Sequence, residues 1–287
     1  MSSVPSYGSW PPPPTTGPPG GPAAPEAGGA DRWAPWTAPL ALFAAFVFAI
    51  MGAIVVGVVG ALFGAQFDHP PPAVNIAATV VQDAAFIGAA VLFAGRVGRV
   101  LPAQFGFVRT RVGPAIGWMA AAYAVYVALG AVWGHIVNTS KTDKLPDSLG
   151  ADRSTAALVA VCVLVTVIAP LAEETFFRGY FFGALRNWRG PWPAALITGL
   201  FFGGIHVFGT DVVFLVPLAI LGFMLCVVRE RTGSLLPCIA LHALNNALAF
   251  GITEHWSAGA ILLLAAGAVS VTMLACGAVI GRQPQPV

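Results

Sequence analysis

The sequence predicts an all-α protein: a polytopic bundle of about eight transmembrane helices behind a disordered, Pro/Gly-rich N-terminal tail. Of the 287 residues, 57% are hydrophobic and 9% are charged, and the mean hydropathy is +0.80. These values lie far outside the range of soluble domains. The apolar residues also fall into stretches of about 20, the length that crosses a hydrocarbon core roughly 30 Å thick. Lipid is therefore the expected surroundings for most of the chain.

The first 30 residues hold nine prolines and six glycines. Such a composition cannot bury enough apolar surface to offset the entropy of ordering the chain. The segment also lacks a basic region followed by an apolar region, so it is not predicted to be a secretory signal peptide. We expect residues 1–35 to form a disordered cytoplasmic tail and residues 36–282 to form a transmembrane helical domain.

Eight apolar stretches follow the tail, and each is long enough to be a membrane span. They cover approximately 38–65, 73–94, 113–135, 155–186, 193–209, 212–228, 234–252 and 257–280. The fourth is overlong and contains Pro170. Because proline cannot donate a backbone hydrogen bond, a kink or a break followed by a second helical piece is expected there.

The basic residues predict the orientation of the spans. If the N-terminus is cytoplasmic, ten of the fourteen Lys and Arg residues fall on the cytoplasmic side and three on the other, with Arg178 inside a span. The positive-inside rule therefore favours a multi-pass protein of the cell membrane with both termini in the cytoplasm.

Two other functional classes gain no support from the composition. The formal net charge of +2 is too small, and the basic residues too evenly sorted, to indicate nucleic acid as a partner. The four cysteines, Cys162, Cys226, Cys238 and Cys276, lie in apolar stretches without CxxC spacing. They are predicted to be small core residues, not disulfides or metal ligands.

A few ionisable residues lie within the predicted spans, where each is costly and typically faces the interior of the bundle at a functional site. They are Asp83, Glu173, Glu174, Arg178, His206 and His242, with Asn245 and Asn246 as polar neighbours. Asp83 has no second acid or histidine close to it in sequence. A structural partnership with Arg178 or Gln82 is the favoured interpretation of Asp83.

Helical geometry distributes these residues over three polar faces. At 100° per residue, Glu174 and Arg178 share a face and can form an ion pair, whereas Glu173 points about 100° away. Phe202 and His206 share a face of the next helix in the same way, as do His242 and Asn246 near the C-terminus. Counted at 1.5 Å per residue, Glu173 and His206 both lie about 20 Å from the cytoplasmic boundary. A shared polar pocket that opens toward the cytoplasm is therefore expected.

This set of side chains suits the hydrolysis of an amide by either of two mechanisms. A carboxylate and a histidine can remove a proton from water, while a second histidine and an asparagine amide donate hydrogen bonds to the developing oxyanion. Alternatively, one carboxylate and two histidines can bind a divalent metal that activates the water. The residues alone leave both mechanisms open.

The stretches "EETFFR", "FGGIH" and "HALNN" resemble the three motifs of the CPBP family of intramembrane proteases. This CAAX-processing and bacteriocin-processing group, also called Abi proteins, is related to the eukaryotic CAAX endopeptidase Rce1. Its motifs are EExxxR, FxxxH and HxxxN, and the resemblance covers roughly residues 155–250. The defining positions are occupied here by Glu173, Glu174, Arg178, Phe202, His206, His242 and Asn246.

The resemblance implies an endopeptidase that acts on membrane-embedded peptides or proteins. It implies that Glu173 and His206 activate water and that His242 and Asn246 form the oxyanion hole. Glu174 and Arg178 would brace the site, with Phe202 in support. The family is often catalogued as metalloproteases, although a glutamate mechanism needs no metal. If a divalent metal such as zinc is used, its expected ligands are Glu173, His206 and His242.

Two alternatives belong to other classes of protein. A non-enzymatic immunity or scaffolding protein could keep the same residues as a polar clasp between helices. A transporter could use the buried acids as an ion relay, but no internal repeat is visible to support it. Signatures of other intramembrane proteases, namely HExxH, GxSxG and GxGD, are absent from the sequence.

Overall fold

The computed structural model describes residues 33–66, 68–138, 141 and 145–281, and within these residues the regular secondary structure is entirely helical. Eight of the described helices are long and apolar enough to cross a membrane. They are α1 (Thr37–Leu62), α2 (Pro72–Ala94), α3 (Val112–Val137), α4 (Thr155–Arg189), α5 (Pro191–Ile205), α6 (Leu215–Thr232), α7 (Leu236–Thr253) and α8 (Ala258–Gly281).

The predicted fold class is confirmed, and each of the eight predicted spans corresponds to one of these helices. The protein is therefore a multi-pass membrane protein. Most of the predicted tail, and Arg32, Lys144 and Arg282 from the charge count, lie outside the described residues. The cytoplasmic placement of the termini stays a prediction. Trp33, which precedes α1, is buried against Phe105 and Tyr180.

Neighbouring helices pack in sequential pairs, α1 with α2, α5 with α6 and α7 with α8, and α3 packs against α6. Helices α7 and α4 are the most enclosed, with 61% and 39% of their most apolar 18 residues buried, against 17% for α1. Most of the intramembrane polar residues lie on these two inner helices. Their side chains consequently meet protein and not lipid.

Helix α4 continues through Pro170 without a break, so of the expected kink or break the break into two helical pieces does not occur. The reason is a π-helical turn at Leu164–Ile168, in which the N–H of Ala169 bonds to the carbonyl oxygen of Leu164, five residues earlier. In this register the next donor would be Pro170, which has no N–H. A second π-helical segment follows at Thr175–Phe181. The wide turns accommodate the proline and free a backbone carbonyl.

The core between α2 and α4 is aromatic. Phe86 of α2 contacts Phe176 and Phe177 of α4, with ring centroids 5.1 and 5.9 Å apart, and Phe93 contacts Tyr180 at 6.5 Å. The predicted core role of the cysteines is confirmed as well, because all four are buried and free. Aromatic pairs at these distances stabilise the interface beyond simple area burial.

Helices α5 and α6 approach each other closely at Gly199 and Gly203. A Cβ atom on Gly203 would lie 2.8 Å from the backbone nitrogen of Ala219. A Cβ atom on Gly199 would lie 2.8 Å from the carbonyl oxygen of the same alanine. Small residues four apart permit this kind of backbone contact between membrane helices. The contact determines where the end of α5, with Phe202 and His206, lies in the bundle.

Gly203→Ala is expected to destabilise the protein by about 1–3 kcal/mol, because the added methyl group overpacks against backbone that cannot move independently. Gly204→Ala is the matched control, since a Cβ atom there meets nothing within 4 Å. Thermal unfolding in detergent should show a lowered midpoint for Gly203→Ala alone. Equal midpoints in the two variants would contradict the close contact.

Candidate active site

The ion pair predicted within α4 is present and completely buried. Arg178 Nη1 donates to Glu174 Oε1 at 2.6 Å, and both side chains are 0% exposed. Arg178 Nη2 donates to the carbonyl oxygen of Gly222 on α6 at 3.0 Å, and the guanidinium lies 4.3 Å from the centroid of the Phe202 ring. Arg178 therefore connects three helices while neutralising Glu174.

Glu174 also orients His242, a contact that the sequence analysis missed. His242 Nδ1 lies 2.8 Å from the same Oε1 atom that accepts from Arg178. A carboxylate accepts hydrogen bonds, so Nδ1 carries the proton and Nε2 is turned away from Glu174. Nε2 lies 3.9 Å from Oε2 of Glu173. Glu174 thus holds the His242 imidazole so that Nε2 faces Glu173.

Glu173 differs from its neighbour in exposure and in partners. Its side chain is 12% exposed, and Oε2 has no hydrogen-bond partner in the described part of the chain. Oε1 of Glu174, by contrast, is engaged by both Arg178 and His242, and only Oε2 of that residue lacks a partner among the described residues. The 100° offset predicted from helical geometry has this result: one glutamate holds the structure together and the other remains able to accept a proton.

His206 lies at the end of α5, where the helix tightens into a 3-10 turn. Its ring Nδ1 lies 2.7 Å from the carbonyl oxygen of Phe202. This carbonyl is available because the N–H of His206 bonds to Gly203 and Gly204 instead. A carbonyl only accepts, so Nδ1 carries the proton and Nε2 is an acceptor. His206 is half-buried, and among the described residues no ion pair joins it to Glu173.

Phe202 connects the two histidines. Its ring centroid lies 5.0 Å from that of His206 and 5.6 Å from that of His242, and the side chain is completely buried. Arg178 lies against the same ring. Phe202 therefore contacts one candidate site residue from each of α4, α5 and α7. The structure thereby gathers the three predicted polar faces around one aromatic side chain.

Asn246 is held in place by the backbone irregularity at Pro170. Its Nδ2 donates to the carbonyl oxygen of Val165 at 3.0 Å, and its Oδ1 accepts from Asn245 Nδ2 at 3.3 Å. In the π-helical register the carbonyl of Val165 would accept from residue 170. Residue 170 is a proline without an N–H, so this carbonyl has no backbone donor. The two contacts orient the amide and leave its second N–H available.

Asp83 is 2% exposed, and neither of its carboxyl oxygens has a hydrogen-bond partner in the part of the chain that the structure describes. The predicted partnership with Arg178 or Gln82 is therefore wrong. Arg178 donates to α4 and α6 instead, and Gln82 is on the exposed side of α2. Pairing across helices cannot be deduced from sequence spacing.

The expected metal ligands do not form a metal site in this arrangement. Among the described residues, no group of three or more His, Cys, Asp or Glu side chains is placed to hold a metal ion. Hydrolytic zinc needs three protein ligands. Nδ1 of each histidine is bonded to a protein oxygen, which leaves Nε2 as the possible ligand atom, but the two histidines and Glu173 are not grouped closely enough to share one ion. The residues present do not fit the metal.

The part of the chain that contains the candidate site matches a known protein family. Residues 155–248 match the family described as Type II CAAX prenyl endopeptidase Rce1-like. These residues contain Glu173, His206, His242 and Asn246. The segment is an Rce1-like domain, and the resemblance inferred from the three motifs is confirmed.

A curated relative shares part of this region. The chain is 35% identical over 108 residues to the "Uncharacterized 24.3 kDa protein" of Escherichia coli. The aligned segment is 36% of this chain and 49% of that protein, so the chain spans about half the length of the curated relative it matches. No solved structure matches the chain significantly.

Proposed function

We propose that the protein is an intramembrane endopeptidase that hydrolyses peptide bonds of membrane-embedded proteins or peptides. The observation that carries this proposal is the pairing of unlike glutamates within an Rce1-like domain. Oε1 of the fully buried Glu174 is engaged by both Arg178 and His242. Glu173 is partly exposed, and its Oε2 lies 3.9 Å from His242 Nε2 with no hydrogen-bond partner among the described residues. Structural stability alone does not require the Glu173 carboxylate, whereas hydrolysis needs a group that can take a proton from water.

In the proposed reaction, the Glu173 carboxylate takes a proton from a water molecule. His206 Nε2, which is an acceptor in the tautomer that the Phe202 carbonyl requires, binds the other hydrogen of that water. The water oxygen forms a bond to the carbonyl carbon of the scissile peptide, and the carbonyl oxygen becomes an oxyanion. Glu173 then gives its proton to the leaving nitrogen as the C–N bond breaks, so protons balance over the cycle.

The proposed mechanism assigns two donors to the oxyanion. When His242 is protonated, Nδ1–H stays on Glu174 and Nε2–H becomes available on the side of Glu173. The second N–H of the Asn246 amide is the other donor. Donors held by the fold stabilise developing charge without reorganising during the reaction, and the loss of one typically costs 10²–10³ in rate, as an order of magnitude.

The test is a cleavage assay of the purified full-length protein in detergent against a library of fluorogenic, membrane-anchored peptides. We expect cleavage at an internal peptide bond, with a rate unaffected by a strong divalent-metal chelator. Loss of activity on chelation, restored by added zinc, would overturn the metal-free mechanism. A wild-type protein that cleaves no member of the library would count against the endopeptidase and favour the scaffolding alternative.

A further inference from the structure

The proposed reaction leaves one buried acid of the membrane interior without a role. Asp83 is 2% exposed, and both of its carboxyl oxygens lack a hydrogen-bond partner among the described residues. An ionised carboxylate in such surroundings, with neither a cation nor a donor, is strongly unfavourable. A neutral acid is far less costly, but its O–H still needs an acceptor.

The packing of α2 against α4 shows which acceptor is near. Phe86 contacts Phe176, and Phe93 further along α2 contacts Tyr180 further along α4, so the two helices run in the same direction. Three residues, about one turn, before Phe86 is Asp83, and three residues before Phe176 is Glu173. The two carboxyl groups therefore lie at the same level of one helix interface.

The packing of the surrounding helices agrees with this register. The Ala169–Glu174 segment of α4 packs directly against α2. Helix α1, the other long neighbour of α2, contains no titratable residue. The titratable side chains of α4 up to the aromatic contacts are Cys162, Glu173, Glu174, Arg178 and Tyr180. Of these, Glu174 and Arg178 are paired with each other, and the Tyr180 hydroxyl donates to Thr37.

We propose that Asp83 is a positioning residue for Glu173: a neutral acid whose O–H donates a hydrogen bond to Glu173 Oε2, directly or through one bridging water. Glu173 Oε2 is itself buried and has no other hydrogen-bond partner among the described residues. The bond orients the carboxylate so that its other oxygen faces the reacting water. For cleavage, this inference rests on the proposed endopeptidase activity; the hydrogen bond itself does not.

The kinetic test compares Asp83→Asn with Asp83→Leu. The asparagine amide supplies an N–H donor in the same place, so kcat should stay within about 3-fold of wild type. Leucine has a similar size without a donor, and loss of one hydrogen bond to a charged group should lower kcat by about 10- to 100-fold with KM unchanged. Gln82→Leu is the matched control, since the adjacent Gln82 is exposed and should tolerate the change.

A spectroscopic test is independent of peptide cleavage. The infrared spectrum of the full chain at neutral pH should contain the C=O stretch of a protonated carboxyl group. That band should vanish in Asp83→Asn and should persist, shifted, in Glu173→Gln, where an amide oxygen replaces the carboxylate as acceptor. If wild type cleaves no peptide, the proposed function fails, but this band still shows whether Asp83 is protonated and donates to Glu173.

Three results would overturn the inference. One is a band that is absent from wild type. Another is a band that survives Asp83→Asn but vanishes in Glu173→Gln, which would put the proton on Glu173. The third is an Asp83→Asn variant as slow as Asp83→Leu, which would show that a carboxyl group and not a donor is needed. If Asp83→Leu does not fold, the asparagine variant and the infrared band remain decisive.

Discussion

Glu173→Gln is expected to reduce kcat for peptide cleavage by about 10²- to 10⁴-fold, which is the usual contribution of a general base. Glutamine has the same shape but cannot take a proton from water. KM should change little, because glutamine keeps the size and shape of the glutamate side chain. Initial rates on a membrane-anchored fluorogenic peptide, measured over a range of substrate concentrations, separate the two parameters.

The same substitution should leave the fold intact, because glutamine keeps the shape of the side chain and its amide oxygen can still accept the proposed hydrogen bond from Asp83. Unfolding midpoints of wild type and Glu173→Gln are expected to agree within about 2 °C. Glu254→Gln is the matched control: Glu254 follows the end of α7, outside the site, and its replacement should preserve activity. A fully active Glu173→Gln variant would refute the proposed mechanism.

Arg178→Met is expected to destabilise the protein by about 3–5 kcal/mol, the effect of removing one partner from a buried ion pair. Methionine keeps the apolar length of the side chain but leaves Glu174 without its cation and the carbonyl of Gly222 without its donor. The result should be a midpoint lowered by about 10 °C, or loss of folded protein. Thermal unfolding followed by size-exclusion chromatography in detergent measures both.

Two further variants separate charge from packing. Glu174→Gln in the Arg178→Met background should recover part of the loss, since no charge is then left unpaired. The Arg186–Glu230 ion pair joins the same two residue types but is partly exposed. Arg186→Met, which removes this pair, should therefore lower the free energy of unfolding by less than about 1 kcal/mol. Equal losses for Arg178→Met and Arg186→Met would show that burial of the pair is not what matters.

The sequence predicts well those features that depend on one helix at a time. The eight spans follow from apolar length, and the Glu174–Arg178 pair follows from a spacing of four residues, which puts both side chains on one face. The three motifs point to the candidate site residues for a similar reason. Each motif lies on its own helix, and the order of the motifs along the chain carries the family resemblance.

Contacts between helices were not predictable in the same way. The bond from His242 to Glu174 joins residues 68 apart, and spacing gives no information about it. Asn246 binds Val165 because a π-helical turn at Pro170 shifts the backbone register, and a uniform 100° rotation cannot represent that shift. Asp83 was assigned the wrong partner because the alignment of α2 with α4 depends on aromatic packing.

The Glu174–Arg178 pair bears on how the protein is made as well as on how it works. Both charges belong to one helix and can meet within a single turn, so α4 can neutralise them before any other helix is present. A nascent segment leaving the translocation machinery then presents a dipole to lipid, not two separate ions, which lowers the cost of partitioning. Helices inserted later, α6 and α7, supply the carbonyl of Gly222 and the imidazole of His242. Biogenesis of the site can thus proceed in the order in which its parts are synthesised.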